Sequence, residues 1–483
     1  MKTSLAGLTH TSLEKCPTGI SGLDEITRGG LPKGRPTLVA GGAGSGKTLL
    51  ALEFLVKGAT LYNEPGVFMA FEETAQDLSK NVSSLGFDLP GLIKKKKLAI
   101  DYVYIERSEI EETGEYDLEG LFIRLGYAID TVKAKRVALD TLEVLFGGLK
   151  NEGILRAELR RLFRFLKEKG VTALVTAERG IDQFTRHGLE EYVADCVILL
   201  DHRVNEQIST RRLRVAKYRG SAHGTNEYPF LIDRDGLSIL PVTSLGLDHS
   251  VSSERISTGV PKLDAMFGGK GFFRGSSILI SGTAGTGKST LAAHFVEAAC
   301  KRGEKALYFA FEESPAQIVR NMSSVGINLA PCVKKGLLEI RSQRPTFTGL
   351  EMHLIEMHKL ISTSNPRVVV MDPITNLIEV GLAADVKSVL TRLIDFMKSK
   401  EITAFLTSLT TGGEATEATN VGVSSLMDTW ILLNDIPGET ERTRGVSIIK
   451  SRGMAHSNEV REFRLTDKGF LIEERVAGSQ EKK

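Results

Sequence analysis

Two stretches of the 483-residue chain carry the residue types that grip a chain of phosphates. They are Gly41-Gly42-Ala43-Gly44-Ser45-Gly46-Lys47-Thr48 and Gly282-Thr283-Ala284-Gly285-Thr286-Gly287-Lys288-Ser289. Glycine lets backbone N–H groups turn inward around an anion with no Cβ in the way. A helix that starts at the lysine points its positive end at the same anion. Lys47 and Lys288 have the reach to neutralise β- and γ-phosphates, and Thr48 and Ser289 offer a hydroxyl to Mg2+. The nucleotide-contacting set read here is Gly42, Ala43, Gly44, Ser45, Gly46, Lys47, Thr48 and Leu49, with Thr283, Ala284, Gly285, Thr286, Gly287, Lys288, Ser289 and Thr290 in the second copy. The implied ligands are ATP and Mg2+.

Three further groups fit phosphoryl chemistry. Asp140 and Asp372 each end an apolar run, where a carboxylate can hold Mg2+ directly or through water. Glu72-Glu73 and Glu312-Glu313 also end apolar runs, and one carboxylate of each pair is a candidate general base. Neighbouring strand residues face opposite ways, so Glu72 and Glu312 are taken as the main actors with Glu73 and Glu313 in support. Lys217 and Arg219, and likewise Lys450 and Arg452, lie two apart; on a strand that spacing puts both cations on one face, about 7 Å apart. Such a pair suits charge that builds up on a transferring phosphoryl group.

The elements that must position these residues are legible. Each glycine loop follows a short apolar run, Thr37-Leu38-Val39-Ala40 or Ser277-Ile278-Leu279-Ile280, and opens a helical pattern, Leu49 to Leu55 or Leu291 to Val296. Strand, glycine turn and helix is the context a phosphate loop requires. The whole arrangement occurs twice. Thr18-Gly19-Ile20-Ser21-Gly22-Leu23-Asp24 returns as Thr258-Gly259-Val260-Pro261-Lys262-Leu263-Asp264, and the strands ending in Asp140 and Asp372 match. The predicted organisation is a leader over 1–15, a first domain over 16–246 and a second over 247–483, joined by a linker from Pro241 to Glu254. Strands that alternate with helices predict α/β units: two tandem P-loop NTPase domains, each a mostly parallel twisted sheet with helices on both faces. Ligands then gather at the carboxyl ends of the strands.

Composition narrows the function. Lys plus Arg is 62 against 60 for Asp plus Glu, so a formal charge of +2 gives little general attraction for nucleic acid or anionic membrane. The run Lys94-Lys95-Lys96-Lys97 reads as a solvated turn between a helix and a strand. Cys16, Cys196, Cys300 and Cys332 show no metal-ligand spacing, which fits reduced thiols in a cytoplasmic protein. No apolar run reaches membrane-spanning length. A DNA-dependent motor is disfavoured by the charge balance and by the lack of an aromatic-basic loop; a nucleotide-gated scaffold with negligible turnover is the other alternative.

The doubled phosphate loop, Phe71-Glu72-Glu73-Thr74, Phe311-Glu312-Glu313-Ser314, Lys217-Tyr218-Arg219-Gly220, Lys450-Ser451-Arg452-Gly453 and Glu227-Tyr228-Pro229-Phe230 together resemble the KaiC family of RecA-like ATPases, over about residues 15 to 475. The resemblance implies a two-tiered homohexamer with ATP between neighbouring subunits. Lys217, Tyr218 and Arg219, and Lys450, Ser451 and Arg452, then serve the neighbour's nucleotide. His223 and Arg444 match family nucleotide contacts, and Ser84 an adenine-side contact whose second-domain counterpart, usually aromatic, is Val325. It also implies that the first domain is chiefly an ATPase and that the second phosphorylates itself; Ser424 and Ser425 stand at the family's paired acceptor positions. A KaiB-like protein is an implied partner. The short stretch after Thr466-Asp467-Lys468-Gly469 makes KaiA an unexpected one.

Overall fold

The computed structural model describes residues 13–103, 119–146, 152–180, 185, 193–205, 208–241, 251–347, 349–380, 383–410, 422–436 and 443–473. The expected domain boundary at 246 and the expected tail over 477–483 lie outside these residues. The chain forms two compact units, Met1–Thr243 and Ser244–Lys483. At the start of the first, Lys15–Cys16 already pairs with Leu31–Pro32 in a small antiparallel ribbon, so the last residue of the expected leader belongs to the fold.

The strands of the first sheet are β1 (Pro36–Gly41), β2 (Gly66–Ala70), β3 (Leu98–Tyr102), β4 (Arg136–Asp140), β5 (Thr172–Glu178), β6 (Cys196–Asn205), β7 (Ile208–Tyr218), β8 (Glu227–Asp233) and β9 (Gly236–Ile239). Their spatial order is β9-β8-β7-β6-β1-β5-β4-β2-β3. The strands from β6 to β3 in that order run parallel, while β7, β8 and β9 are antiparallel additions. The second sheet comprises β10 (Ser277–Gly282), β11 (Ala306–Ala310), β12 (Leu338–Ser342), β13 (Val368–Asp372), β14 (Thr403–Leu409), β15 (Thr429–Ile436), β16 (Thr443–Ser451), β17 (Arg461–Thr466) and β18 (Gly469–Ile472). Its order, β12-β11-β13-β14-β10-β15-β16-β17-β18, is the same topology.

Both faces of each sheet are covered, which is why the central strands are continuously apolar. In β1, Leu38 and Ala40 join one buried cluster and Val39 the other, as strand alternation requires. The Val39 face is covered by α1 (Lys47–Leu61) through Leu50 and Phe54. The Leu38 face is covered by α3 (Glu119–Val132) and α4 (Glu152–Glu168), while α2 (Ala75–Ser83) buries Leu78 and Val82 with α1. In the second unit α5 (Lys288–Lys301), α6 (Pro315–Ser324), α7 (Leu350–Ser364) and α8 (Ala383–Ser399) take the same places. No described helix is long and apolar enough to cross a membrane. Lys94 ends a short helix and Lys95 and Lys96 form the turn before β3; all three are exposed, as the charge run predicts.

The helix behind each phosphate loop is tied to the terminal hairpin of its own unit. Six residues after the loop lysine, Glu53 accepts the Leu237 N–H at 2.7 Å; at the same place His294 accepts the Phe470 N–H at 2.9 Å through Nε2. Burial raises the Glu53 carboxyl to about 7 and lowers His294. The two ties have opposite pH senses. Folding favours protonated Glu53, so that stability is lost as pH rises from the unfolded carboxylate range through about 7. Folding favours neutral His294, so that stability is lost as pH falls below the unfolded imidazole range. Glu53→Gln, which keeps an acceptor for Leu237, is expected to stabilise the first unit by about 3 kcal/mol at pH 8 and by less than about 1 at pH 5. Denaturant titration at the two pH values checks this.

Candidate functional site

Each glycine loop turns from the carboxyl end of the central strand into a helix. Gly46 and Gly287, at φ 97° and 95°, cap α1 and α5 in the left-handed region that favours glycine. The loop tips Gly42, Ala43, Gly44, Ala284 and Gly285 are exposed, whereas Leu49 and Thr290 turn inward and present only backbone to a ligand. Lys47 Nζ donates to the carbonyls of Gly41 and Gly42 at 2.7 and 3.0 Å. Lys288 Nζ donates to Gly282 and Thr283 at 2.9 and 2.7 Å. Burial lowers the Lys288 ammonium, while the Asp372 and Glu312 carboxylates oppose that shift. Ser45 Oγ and Thr283 Oγ1 are buried without a hydrogen-bond partner, and Thr286 is bonded back to Thr283 O at 2.8 Å. Two cationic loops that open helix N-termini and carry orphaned hydroxyls fit a polyphosphate.

The aspartates end β4 and β13, on the same edge. Asp140 is buried; Oδ2 accepts from Thr48 at 2.8 Å and Oδ1 from Thr176. Burial raises its carboxyl, opposed by those two hydroxyls and by Lys47. Asp372 accepts from Thr407 on Oδ1 and from the Tyr308 hydroxyl on Oδ2 at 2.5 Å. Among the described residues no group of three His, Cys, Asp or Glu could hold a metal ion. One carboxylate beside one loop hydroxyl is nevertheless the donor set that Mg2+ uses when phosphate oxygens and water complete its shell. Thr48 with Asp140 therefore fits Mg2+, and Ser289 and Asp372 stand at the matching sequence positions of the second unit.

The glutamate pairs lie in the bend between the strand that ends at Ala70 or Ala310 and the helix that follows. Glu73 accepts from Asn81 at 3.0 Å and Glu313 from Asn321 at 2.8 Å, each fastened to the helix that follows. Glu72 and Glu312 are exposed. Glu72 Oε1 sits 3.5 Å from the Thr141 hydroxyl, next to Asp140, and the charge of Glu312 acts on Lys288. One glutamate of each pair thus faces the loop and the other is anchored.

The remaining candidates lie elsewhere. Lys217 is level with Val197 at the amino end of β6, and Lys450 with Trp430 at the amino end of β15. The phosphate loops leave the opposite, carboxyl ends of the adjacent β1 and β10, roughly 10 Å away over three residues of rise. Arg219 lies 3.8 Å from Asp195, while Lys450 Nζ donates to Ser424 O at 3.1 Å and Arg452 to Ser425 O at 2.7 Å. Ser424 and Ser425 occupy the short turn ahead of β15, with Ser425 exposed; their first-unit counterparts fall within 186–192, outside the described residues. Tyr218 turns into the core, its hydroxyl donating to Gly30 O at 2.8 Å and its ring stacked on His223. Ser451 Oγ lies 3.3 Å from Thr429 Oγ1. Arg444 is on the loop edge, paired with Asp435 beyond Leu433, which is level with Gly282. Ser84 caps the end of α2 in the open, and Val325 caps α6 while packing partly on the core.

Several residues of the site were not picked out by sequence reasoning: Thr176 and Thr407 on Oδ1 of the aspartates, Asn81 and Asn321 on the second glutamates, and Tyr308. All but Tyr308 recur at matched positions in the two halves, so reading the repeat against itself carries that signal. A central parallel strand, glycine loop, helix and neighbouring strand-end aspartate define a P-loop nucleotide-binding unit, here in tandem on RecA-like sheets.

Comparison with known sequences gives the particular family. The family described as "ATPase: KaiC" matches residues 16–244 and again 256–477, and the chain belongs to that family. It is 58% identical over 472 residues to "Circadian clock protein KaiC2" of Synechocystis sp., covering 97% of this chain and 83% of that one. It is 39% identical to "Circadian clock oscillator protein KaiC" of Thermostichus vulcanus (95% and 89% covered) and 37% identical to the protein of the same name from Prochlorococcus marinus (98% and 95%). The chain is a KaiC-type ATPase with two nucleotide-binding units.

Proposed function

We propose that both units hydrolyse ATP with Mg2+, that the second also phosphorylates Ser424 and Ser425, and that neighbouring protomers complete the pockets in a homohexamer. The observation that carries this reading is the division of the site between two edges of each sheet. Lys450 and Arg452 hold the backbone of Ser424 and Ser425 at the edge away from their own loop. A cation pair that shares its edge with the acceptor hydroxyls is turned away from the phosphate loop of its own unit, and in this reading it serves a loop on another copy. The bound Mg2+–nucleotide supplies the reactive phosphoryl group and part of the charge compensation. Lys288 and the loop N–H groups hold the phosphates; Glu312 orients the acceptor and takes its proton as the serine Oγ–phosphorus bond forms and the bond to the β-phosphate oxygen breaks. Arg452 and Lys450 deliver the serines and offset charge on the transferring group. In the first unit Glu72 plays the corresponding part toward water.

The relatives are named as circadian clock proteins, which supports a timing output; a KaiB-like partner and a cytoplasmic location belong to the same proposal. A formal charge of +2 gives no support to a DNA-dependent motor. Incubation with Mg-ATP followed by phosphopeptide mass analysis tests the reading. Label is expected on Ser424 and Ser425 and absent from the doubly substituted Ser424→Ala, Ser425→Ala chain. Label confined to other residues contradicts it.

A further inference from the structure

Each strand-end aspartate is held by two hydroxyls, and only one of them is common to both units. Oδ1 accepts from the threonine on the next strand, Thr176 or Thr407. Oδ2 is treated differently. In the first unit it accepts from Thr48, the hydroxyl that follows the loop lysine. In the second it accepts from Tyr308, and among the described residues no hydrogen bond to the Ser289 hydroxyl is found.

Tyr308 lies on β11 opposite Val370, two residues before Asp372. At the same register the first unit has Phe68, opposite Ala138 and two residues before Asp140. Both rings are fully buried, at 1% and 0% exposure, so the hydroxyl is the one group the second unit adds. A buried phenol is costly unless its O–H is bonded, and Asp372 is the acceptor it has. A carboxylate fixed on both oxygens keeps its rotation, whereas Asp140 depends for its second contact on the loop hydroxyl itself.

We propose that Tyr308 is a positioning residue of the second pocket. Its hydroxyl fixes the Asp372 carboxylate in the orientation that takes up a divalent cation, and leaves Ser289 uncommitted for the same cation. The two pockets then differ in how their cation site is prepared: by the strand in the second unit, by the loop in the first. The proposal rests on reading Asp372 as the cation-holding carboxylate, and the test separates the two.

The probe is Mn2+ binding to the ADP complex, followed by electron paramagnetic resonance, in a Lys47→Ala chain whose first loop is disabled. Tyr308→Phe, which gives β11 the side chain β2 already has, is expected to raise the Mn2+ dissociation constant about tenfold while leaving ADP affinity in EDTA within about twofold. Placing p-aminophenylalanine at position 308 keeps an N–H donor and is expected to restore Mn2+ affinity. Trp430, the single tryptophan, donates to Ser281 Oγ at 2.7 Å beside the loop, and its emission reports whether the variant keeps the fold. An unchanged Mn2+ constant in Tyr308→Phe, a parallel loss of metal-free ADP affinity, or a failure of p-aminophenylalanine to rescue overturns the proposal. If Asp372→Asn also leaves Mn2+ binding intact, the underlying reading of Asp372 fails instead.

Discussion

Glu312→Gln is expected to lower phosphate incorporation into Ser424 and Ser425 by roughly 10²–10⁴-fold, the usual contribution of a placed general base. Glu312 is the exposed member of its pair, and its charge is felt by Lys288 across the second loop. The amide keeps the size and loses the capacity to take a proton. Glu313 is a built-in control: Asn321 holds its carboxylate at 2.8 Å, so Glu313→Gln should disturb the start of α6 and slow labelling far less. ADP release by the first unit, which uses its own loop and Glu72, should continue in both variants. Quantitative phosphopeptide analysis alongside ADP release reads the two outcomes separately. Full labelling in Glu312→Gln would remove Glu312 from the chemistry.

Lys47→Ala and Lys288→Ala carry the other large effect. Each lysine bonds two carbonyls of its own loop, which places a single positive charge at the loop. Removing that charge takes away stabilisation of the developing negative charge, and turnover in the affected unit should fall by roughly 10²–10³-fold. The two substitutions should not give the same phenotype. Lys288→Ala is expected to abolish serine labelling directly. Lys47→Ala is expected to remove first-unit hydrolysis while the second loop, built from its own sheet, still transfers phosphate. Steady-state ADP release and serine labelling, measured on each single variant, test that separation.

Much of this was legible in the sequence because glycine loops, apolar strand runs and strand-end carboxylates are local signals. The mostly parallel sheets and the aspartates at strand ends follow from the apolar runs and from the repeat; the order of the strands does not. What stayed hidden depends on pairing between distant strands. The spacing of Lys450 and Arg452 suggests a shared strand face, but the strand ends at Ser451 and Arg452 stands in the turn beyond it, and the edge on which they lie is not legible from spacing. That edge is set by an antiparallel β16 running back along β15 to the turn that carries Ser424 and Ser425. Tyr308 was hidden for a related reason. Within Ala306-Leu307-Tyr308-Phe309-Ala310 it reads as one more buried strand residue, and only the parallel register with β13 brings its hydroxyl to Asp372. Likewise Cys300 and Cys332 have no telling spacing, yet they lie against each other in the second core, and burial together with that contact pushes the Cys300 thiol up to about 12.

The stoichiometry of nucleotide retention tests the account most directly, because everything else follows from two independent loops per chain. Equilibrium binding of labelled ATP at saturating Mg2+ is predicted to give two nucleotides per wild-type chain, one for either single lysine variant and none for the double variant, Lys47→Ala with Lys288→Ala. A single nucleotide per wild-type chain, or full retention by the double variant, would contradict it.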